Sequence, residues 1–305
     1  MSGSFLCIGE CMIEMSDAGG GLYRRGFAGD TFNTAWYARR LLHDDWSVGY
    51  CSCIGTDAAS EEMAAFMAGE GIDTSTLRRV PERSVGLYMI SLDKGERSFS
   101  YWRSQSAAKL LAADDAWLRE TLRGRSVIYF SGITLAILDP AGRERLCAAL
   151  AAARAAGARV AFDTNLRPRL WEDHETMQAG MRAGAAVADI VLPSFDEEQV
   201  LFGDTDPDET IARYRDLGAQ VVAVKDGGGA LRLWDGAATT VIPPVAVETV
   251  VDSTAAGDSF GAGFLAALCT GATLPDAASS AMQLAAQVIQ SRGALVPAIF
   301  EGERP

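Results

Sequence analysis

Residues 249–268 read TVVDSTAAGDSFGAGFLAAL. The β-branched pair Val250-Val251 leads into a turn of small residues, Ser253-Thr254-Ala255-Ala256-Gly257, bracketed by two carboxylates, Asp252 and Asp258. An apolar run carrying Gly261, Ala262, Gly263, Ala266 and Ala267 follows and reads as a closely packed helix. The first amides of a helix have no partner within it, and the helix dipole is positive there. With no bulky side chain from Ala255 to Gly257, those amides are open to contact with an anion. Asp258 falls in the first turn, where the dipole favours its ionised form, ready to accept a proton from a substrate hydroxyl. An anion cradle beside a carboxylate base is what phosphoryl transfer to an alcohol requires. The same letters also suit a plain helix start, with Ser253 or Thr254 as cap and Asp258 complementing the dipole.

Upstream, helical and strand patterns alternate. Helices over 114–122, 140–156, 172–186 and 208–217 each precede an apolar strand, at 126–130, 159–163, 189–192 and 220–225. This is the pattern of an α/β fold with a doubly wound parallel sheet, in which ligands bind beyond the carboxyl ends of the strands. Ser131-Gly132, Asp163-Thr164-Asn165, Ser194 and Lys225-Asp226-Gly227 all follow strand ends. Nearer the N-terminus, FLCIGE (residues 5–10) suits a buried strand ending in an acid. Gly29-Asp30 precedes a helix from Thr31 with Asn33 in its first turn, and strand 48–54 leads to helix 58–70. Two segments break the alternation. Residues 14–29 form a loosely alternating, Gly-rich stretch, and runs 84–92 and 97–103 form a hairpin through Asp93-Lys94-Gly95-Glu96. Together they predict a small β-sheet lid, about residues 12–29 and 84–105, inserted into one domain that spans the chain. A hairpin at 230–242 and helices over 257–270 and 275–291 complete the expected order.

The bulk numbers exclude several classes. A net charge of −13 over 305 residues argues against nucleic acid or an anionic membrane as the main partner. No apolar run reaches about 18 residues, the length a membrane span needs. The six Cys are scattered without a CxxC pair and there are two His, which argues against structural zinc and for reduced thiols in a cytoplasmic protein. No GxxxxGK[ST] run is present, so the chain is not a P-loop kinase.

Two groups of residues suggest a donor and an acceptor side. Lys225-Asp226-Gly227-Gly228-Gly229, after an apolar strand, permits close approach of a base or phosphates, or forms a loose hairpin turn. Gln283, Gln287 and Gly293 are candidates to line an adenine pocket. Tyr88, Tyr101 and Arg103 lie on the lid hairpin, and Arg167 follows Asp163-Thr164-Asn165. Each alone suits a solvated sheet face; two arginines brought to one pocket of an acidic protein would build a carboxylate site.

Two Asp residues six apart around Thr-Ala-Ala-Gly, followed by Gly-x-Gly-Phe, resemble the second signature of the ribokinase-like (PfkB) carbohydrate kinases. Gly29-Asp30 with Asn33 resembles the first, although Ala28 replaces the first of its two usual glycines. GDTFNTA (29–35), GLY (86–88), YWRSQSAA (101–108) and DTNLRPRLW (163–171) resemble the subgroup that phosphorylates 2-keto-3-deoxygluconate. The resemblance implies a ribokinase-like α/β/α sandwich and phosphoryl transfer from ATP with Mg²⁺. It implies that Gly29, Asp30, Asn33, Tyr88, Tyr101, Arg103 and Arg167 hold the sugar acid, with Asp258 as base. The Ala255, Ala256 and Gly257 amides would meet the transferring phosphoryl group. ATP would lie against Asn165, Arg167, Ser194, Lys225, Gly227, Gly229, Ala255, Gly257 and Gln287. Glu197 would organise Mg²⁺ through water, although Ser194 stands where the family's N-x-x-E has Asn. Lys225-x-Gly227-x-Gly229 is one residue shorter than the family's K-x-G-x-x-G. Asp252 with the Thr254 carbonyl resembles a monovalent-cation site, making K⁺ a further candidate. A homodimer through the lid is expected. The alternatives are a fructokinase or another keto-deoxy sugar acid kinase and, in a different class, a non-catalytic sugar-acid-binding protein.

Overall fold

Successive residues of β1 (Gly3–Ile8) belong to opposite cores: Phe5 and Cys7 pack in one apolar cluster, Leu6 and Ile8 in another. A central parallel strand must be apolar on both faces because helices cover each side. The structure, a computed structural model, describes residues 2–93 and 96–301. After β1 come β2 (Met12–Gly19), β3 (Leu22–Ala28), α1 (Asp30–Leu41), β4 (Trp46–Ile54), α2 (Ala58–Gly69) and β5 (Leu77–Arg79). Then follow β6 (Gly86–Asp93), β7 (Glu96–Trp102), α3 (Asp115–Leu122), β8 (Val127–Ser131), α4 (Gly132–Ala136), α5 (Pro140–Ala155) and β9 (Arg159–Asp163). The rest is α6 (His174–Ala186), β10 (Ile190–Val191), α7 (Phe195–Phe202), α8 (Pro207–Asp216), β11 (Val221–Val224), β12 (Leu231–Trp234), β13 (Thr239–Ile242), α9 (Ala256–Cys269) and α10 (Leu274–Val288).

The large sheet has the order β13-β12-β11-β10-β9-β8-β1-β4-β5, parallel except for the β12–β13 hairpin at one edge. Helices α1, α2, α9 and α10 pack on one face and α3 to α8 on the other. This is a doubly wound α/β/α sandwich. Strand order reverses beside β1, so a crevice opens where β1 and β8 carry their chains to opposite sides. Side-chain caps set several helix starts: Asp57, Asp139 and Asp173 each accept from an amide of the following turn.

The small sheet has the order β3-β2-β6-β7. Its two hairpins join through the parallel pair β2–β6, so segments far apart in sequence make one lid at the crevice. The expected Lys94-Gly95 turn lies outside the described residues. The sequence pattern did not anticipate α4, α7 or the short β5. Among the described residues no helix is long and apolar enough to cross a membrane.

Candidate active site

The small-residue turn enters α9 without a side-chain cap, unlike the alternative in which Ser253 or Thr254 caps a plain helix start. Ala255 occupies the N-cap position in the left-handed region, at φ 61°. Such strain in a non-glycine residue collects at functional sites. Thr254 instead donates its amide (3.1 Å) and hydroxyl (2.7 Å) to Asp252 Oδ1, while Gly293 N–H donates to Oδ2 at 2.7 Å. Asp252 thus ties the turn to the segment after α10.

Asp258 lies one turn on, gripped by α1. Asn33 Nδ2 donates to Asp258 Oδ2 at 2.8 Å, and Thr34 Oγ1 donates to the Asp258 carbonyl at 3.2 Å. Gly29 lets the start of α1 sit against the backbone that follows β1: a Cβ there would lie 2.2 Å from the Glu10 carbonyl oxygen. Asp30 accepts from Ser131 Oγ (2.5 Å) and Asn165 Nδ2 (2.9 Å), so it braces the strand-end loops. Burial foremost, then the charges of Asp30 and Asp163, push the Asp258 carboxyl up to about 8, against Asn33 and Arg167. Desolvation and like charge therefore oppose the ionised form that the helix dipole favours.

A cavity of about 950 Å³ opens over Asp258. Gly29, Asp30, Asn33, Tyr88, Tyr101, Arg103, Asn165, Arg167 and Asp258 all line it. Its aromatic wall is the lid, where Tyr88 and Tyr101 ring centroids stand 6.0 Å apart. The two arginines differ. Arg103 is paired with Glu10 in the interior, whereas Arg167 is half-exposed and donates to Glu197 Oε1 at 2.9 Å. Glu197 Oε2 also accepts from Leu166 N–H at 2.9 Å, and burial pushes its carboxyl up. Asn165 holds φ 32°, a second left-handed non-glycine residue at the crevice.

A second cavity, about 280 Å³, adjoins the first. Gly227, Gly229, Val245, Val247, Phe260 and Ile289 are among its lining residues. Ser194, Lys225, Ala256 and Gly257 line both. Lys225 Nζ donates to Asp163 Oδ2 at 2.8 Å and would lie 3.5 Å from a Cβ at Gly257. The small-residue turn and one ammonium therefore stand where the two chambers adjoin, the second being the smaller.

Gln283 and Gln287 are exposed and line neither chamber; Met282, Ala285, Ala286 and Ile289 of the adjacent stripe line the second instead. Glu10 is one of the lining residues that the sequence pattern did not single out, with Met12, Phe99, Ile133, Arg169 and Leu170 among the others. The signal for Glu10 was a lone acid at the end of the first apolar strand.

The chain is similar to known proteins along nearly its whole length. Residues 3–299 match the family described as pfkB family carbohydrate kinase. The 2-dehydro-3-deoxygluconokinase of Escherichia coli (strain K12) is 42% identical over 304 residues, covering 97% of this chain and 98% of that protein. A PfkB protein from Polaromonas sp. JS666 superposes with a TM-score of 0.84 at 29% identity, covering 99% of this chain and 100% of that one. A fructokinase from Xylella fastidiosa with bound ATP gives 0.81 at 25% identity, covering 96% and 94%. A family match from residue 3 to residue 299, on a fold shared along the whole length, means that the chain belongs to the pfkB family of carbohydrate kinases.

Proposed function

We propose that the protein transfers the γ-phosphoryl group of ATP to the terminal hydroxyl of 2-keto-3-deoxygluconate, giving 2-keto-3-deoxy-6-phosphogluconate. The observation that carries this reading is that Asp258 shares its chamber with Arg103 and Arg167, two of the three arginines that line it. An acceptor with a carboxylate at one end and a hydroxyl at the other suits that pairing. The name and identity of the Escherichia coli relative support the same acceptor. ATP is proposed for the second chamber, its phosphates towards Lys225 and the turn, in keeping with the ATP-bound fructokinase.

Asp258 accepts the proton of the attacking hydroxyl. The hydroxyl oxygen bonds to phosphorus as the bond to the ADP oxygen breaks, and the amides of Ala255, Ala256 and Gly257 with Lys225 meet the charge on the moving group. Asn33 fixes the Asp258 carboxylate through Oδ2. Glu197 offers hard oxygen for Mg²⁺ through water, and its buried carboxyl gains from a nearby cation. Mg²⁺, when bound, offsets phosphate charge. Asp252 and the Thr254 carbonyl are the candidate K⁺ site, tested by replacing K⁺ with Na⁺ in the assay. The chain is proposed to act as one kinase domain, in the cytoplasm, as a homodimer through its lid.

The test is ADP release with Mg-ATP across 2-keto-3-deoxygluconate, its galactonate epimer, 2-ketogluconate, fructose and ribose. Turnover confined to the keto acids supports the reading. Turnover on fructose or ribose discards the acceptor, and an inert folded protein discards the kinase.

A further inference from the structure

Glu10 and Arg103 meet at the base of the lid. Glu10 follows β1 of the large sheet, and Arg103 follows β7 of the small one. Arg103 Nη2 donates to Glu10 Oε2, with the two side chains 12% and 1% exposed. Both residues line the acceptor chamber. Among the described residues this is the only side-chain hydrogen bond of Arg103, leaving most of its N–H fork to face that chamber.

The other oxygen, Glu10 Oε1, is buried without a hydrogen-bond partner among the described residues. Buried carboxylate oxygens are nearly always satisfied, so such an exception asks for an explanation. Gly86, the first residue of β6, supplies part of it. A Cβ there would lie 2.9 Å from Glu10 Oε1 and 3.2 Å from Arg103 Cβ. The missing side chain at Gly86 is what lets acid and base approach beneath the lid.

We propose that Glu10 is a positioning residue for the acceptor: it pins the Arg103 guanidinium at the lid–core junction so that the remaining N–H groups face the carboxylate of a sugar acid. Bidentate recognition of a carboxylate depends on the plane of the guanidinium, and a long arginine with no anchor samples many planes. Oε2 supplies the anchor. Oε1 is the cost of wedging a charged anchor against Gly86. This rests on the sugar-acid reading of the acceptor.

The test compares wild type, Glu10→Gln, Glu10→Ala and Gly86→Ala in steady-state assays, with thermal melts on each. Glu10→Ala is expected to raise the KM for the keto acid about tenfold, the scale of one charge-assisted hydrogen bond, with the KM for ATP within twofold of wild type. Glu10→Gln, whose amide oxygen still accepts from Nη2, is expected to show a smaller rise. Gly86→Ala, which touches neither partner's chemistry, is expected to show the same acceptor-only signature. An unchanged acceptor KM in folded Glu10→Ala overturns the assignment. So does a parallel rise in the KM for ATP, which would mark general damage. If the wild type turns over no sugar acid, the acceptor reading falls first and this inference with it. A wild type active on sugar acids beside an unaffected Glu10→Ala removes this inference alone.

Discussion

Asp258 is under two opposed demands. A general base has to be ionised, yet burial and the Asp30 charge hold this carboxyl near 8. At lower pH more of it is protonated and unable to accept the substrate proton. kcat/KM is therefore expected to fall as pH drops below about 8, and the limb should move to lower pH in Asp30→Asn, as a pH–rate profile would record. Asp258→Asn is expected to lower kcat by about 10²–10⁴-fold. The same substitution should not destabilise the fold. Between the unfolded value near 4 and the folded value, the native state holds a proton that the unfolded state has released, so the wild type loses stability as pH rises through that window. The melting temperature of Asp258→Asn relative to wild type should accordingly climb from pH 5 to pH 8. Arg103 makes the opposite case. Arg103→Ala leaves Glu10 buried without its cation and is expected to cost about 3 kcal/mol in chemical denaturation.

Individual elements place these side chains through close backbone approach. Gly132 opens α4 against the Thr164 carbonyl, where a Cβ would lie 2.0 Å away. Gly132→Ala has to push the loop that carries Asn165. It is expected to cost about 1–3 kcal/mol of stability and to weaken acceptor binding, checked by denaturation and KM together. Strands and most helices were legible because their apolar spacing is local. The acidic start of α7, with Asp196, Glu197 and Glu198 in its first turn, was not read as a helix, although Gly203 ends it in the left-handed region. Gln283 and Gln287 illustrate a different limit. Pattern identifies a helix but leaves open which stripe of α10 faces a chamber, and here small and apolar residues do. The Glu10–Arg103 pair joins residues 93 positions apart, and nothing in the local spacing of either announces the other.

Across the whole molecule, the exposed aromatic side chains gather on the lid: Tyr23, Phe99, Tyr101 and Trp102, with Leu22 beside them, Phe99 and Tyr101 also lining the acceptor chamber. The ends of its four-stranded sheet, β3 and β7, are open edges. Sedimentation is expected to give a dimer at micromolar concentration and a monomer for Trp102→Asp; a monomeric wild type would refute pairing through the lid. The two chambers share Ala256, Gly257, Lys225 and Ser194 in their linings. A synthetic ligand that joins adenosine to a sugar acid through a polyphosphate bridge would therefore pass these shared residues from one chamber to the other. Its second half would bind at the high effective concentration set by the tether, so such conjugates should be far more potent and selective inhibitors than either fragment.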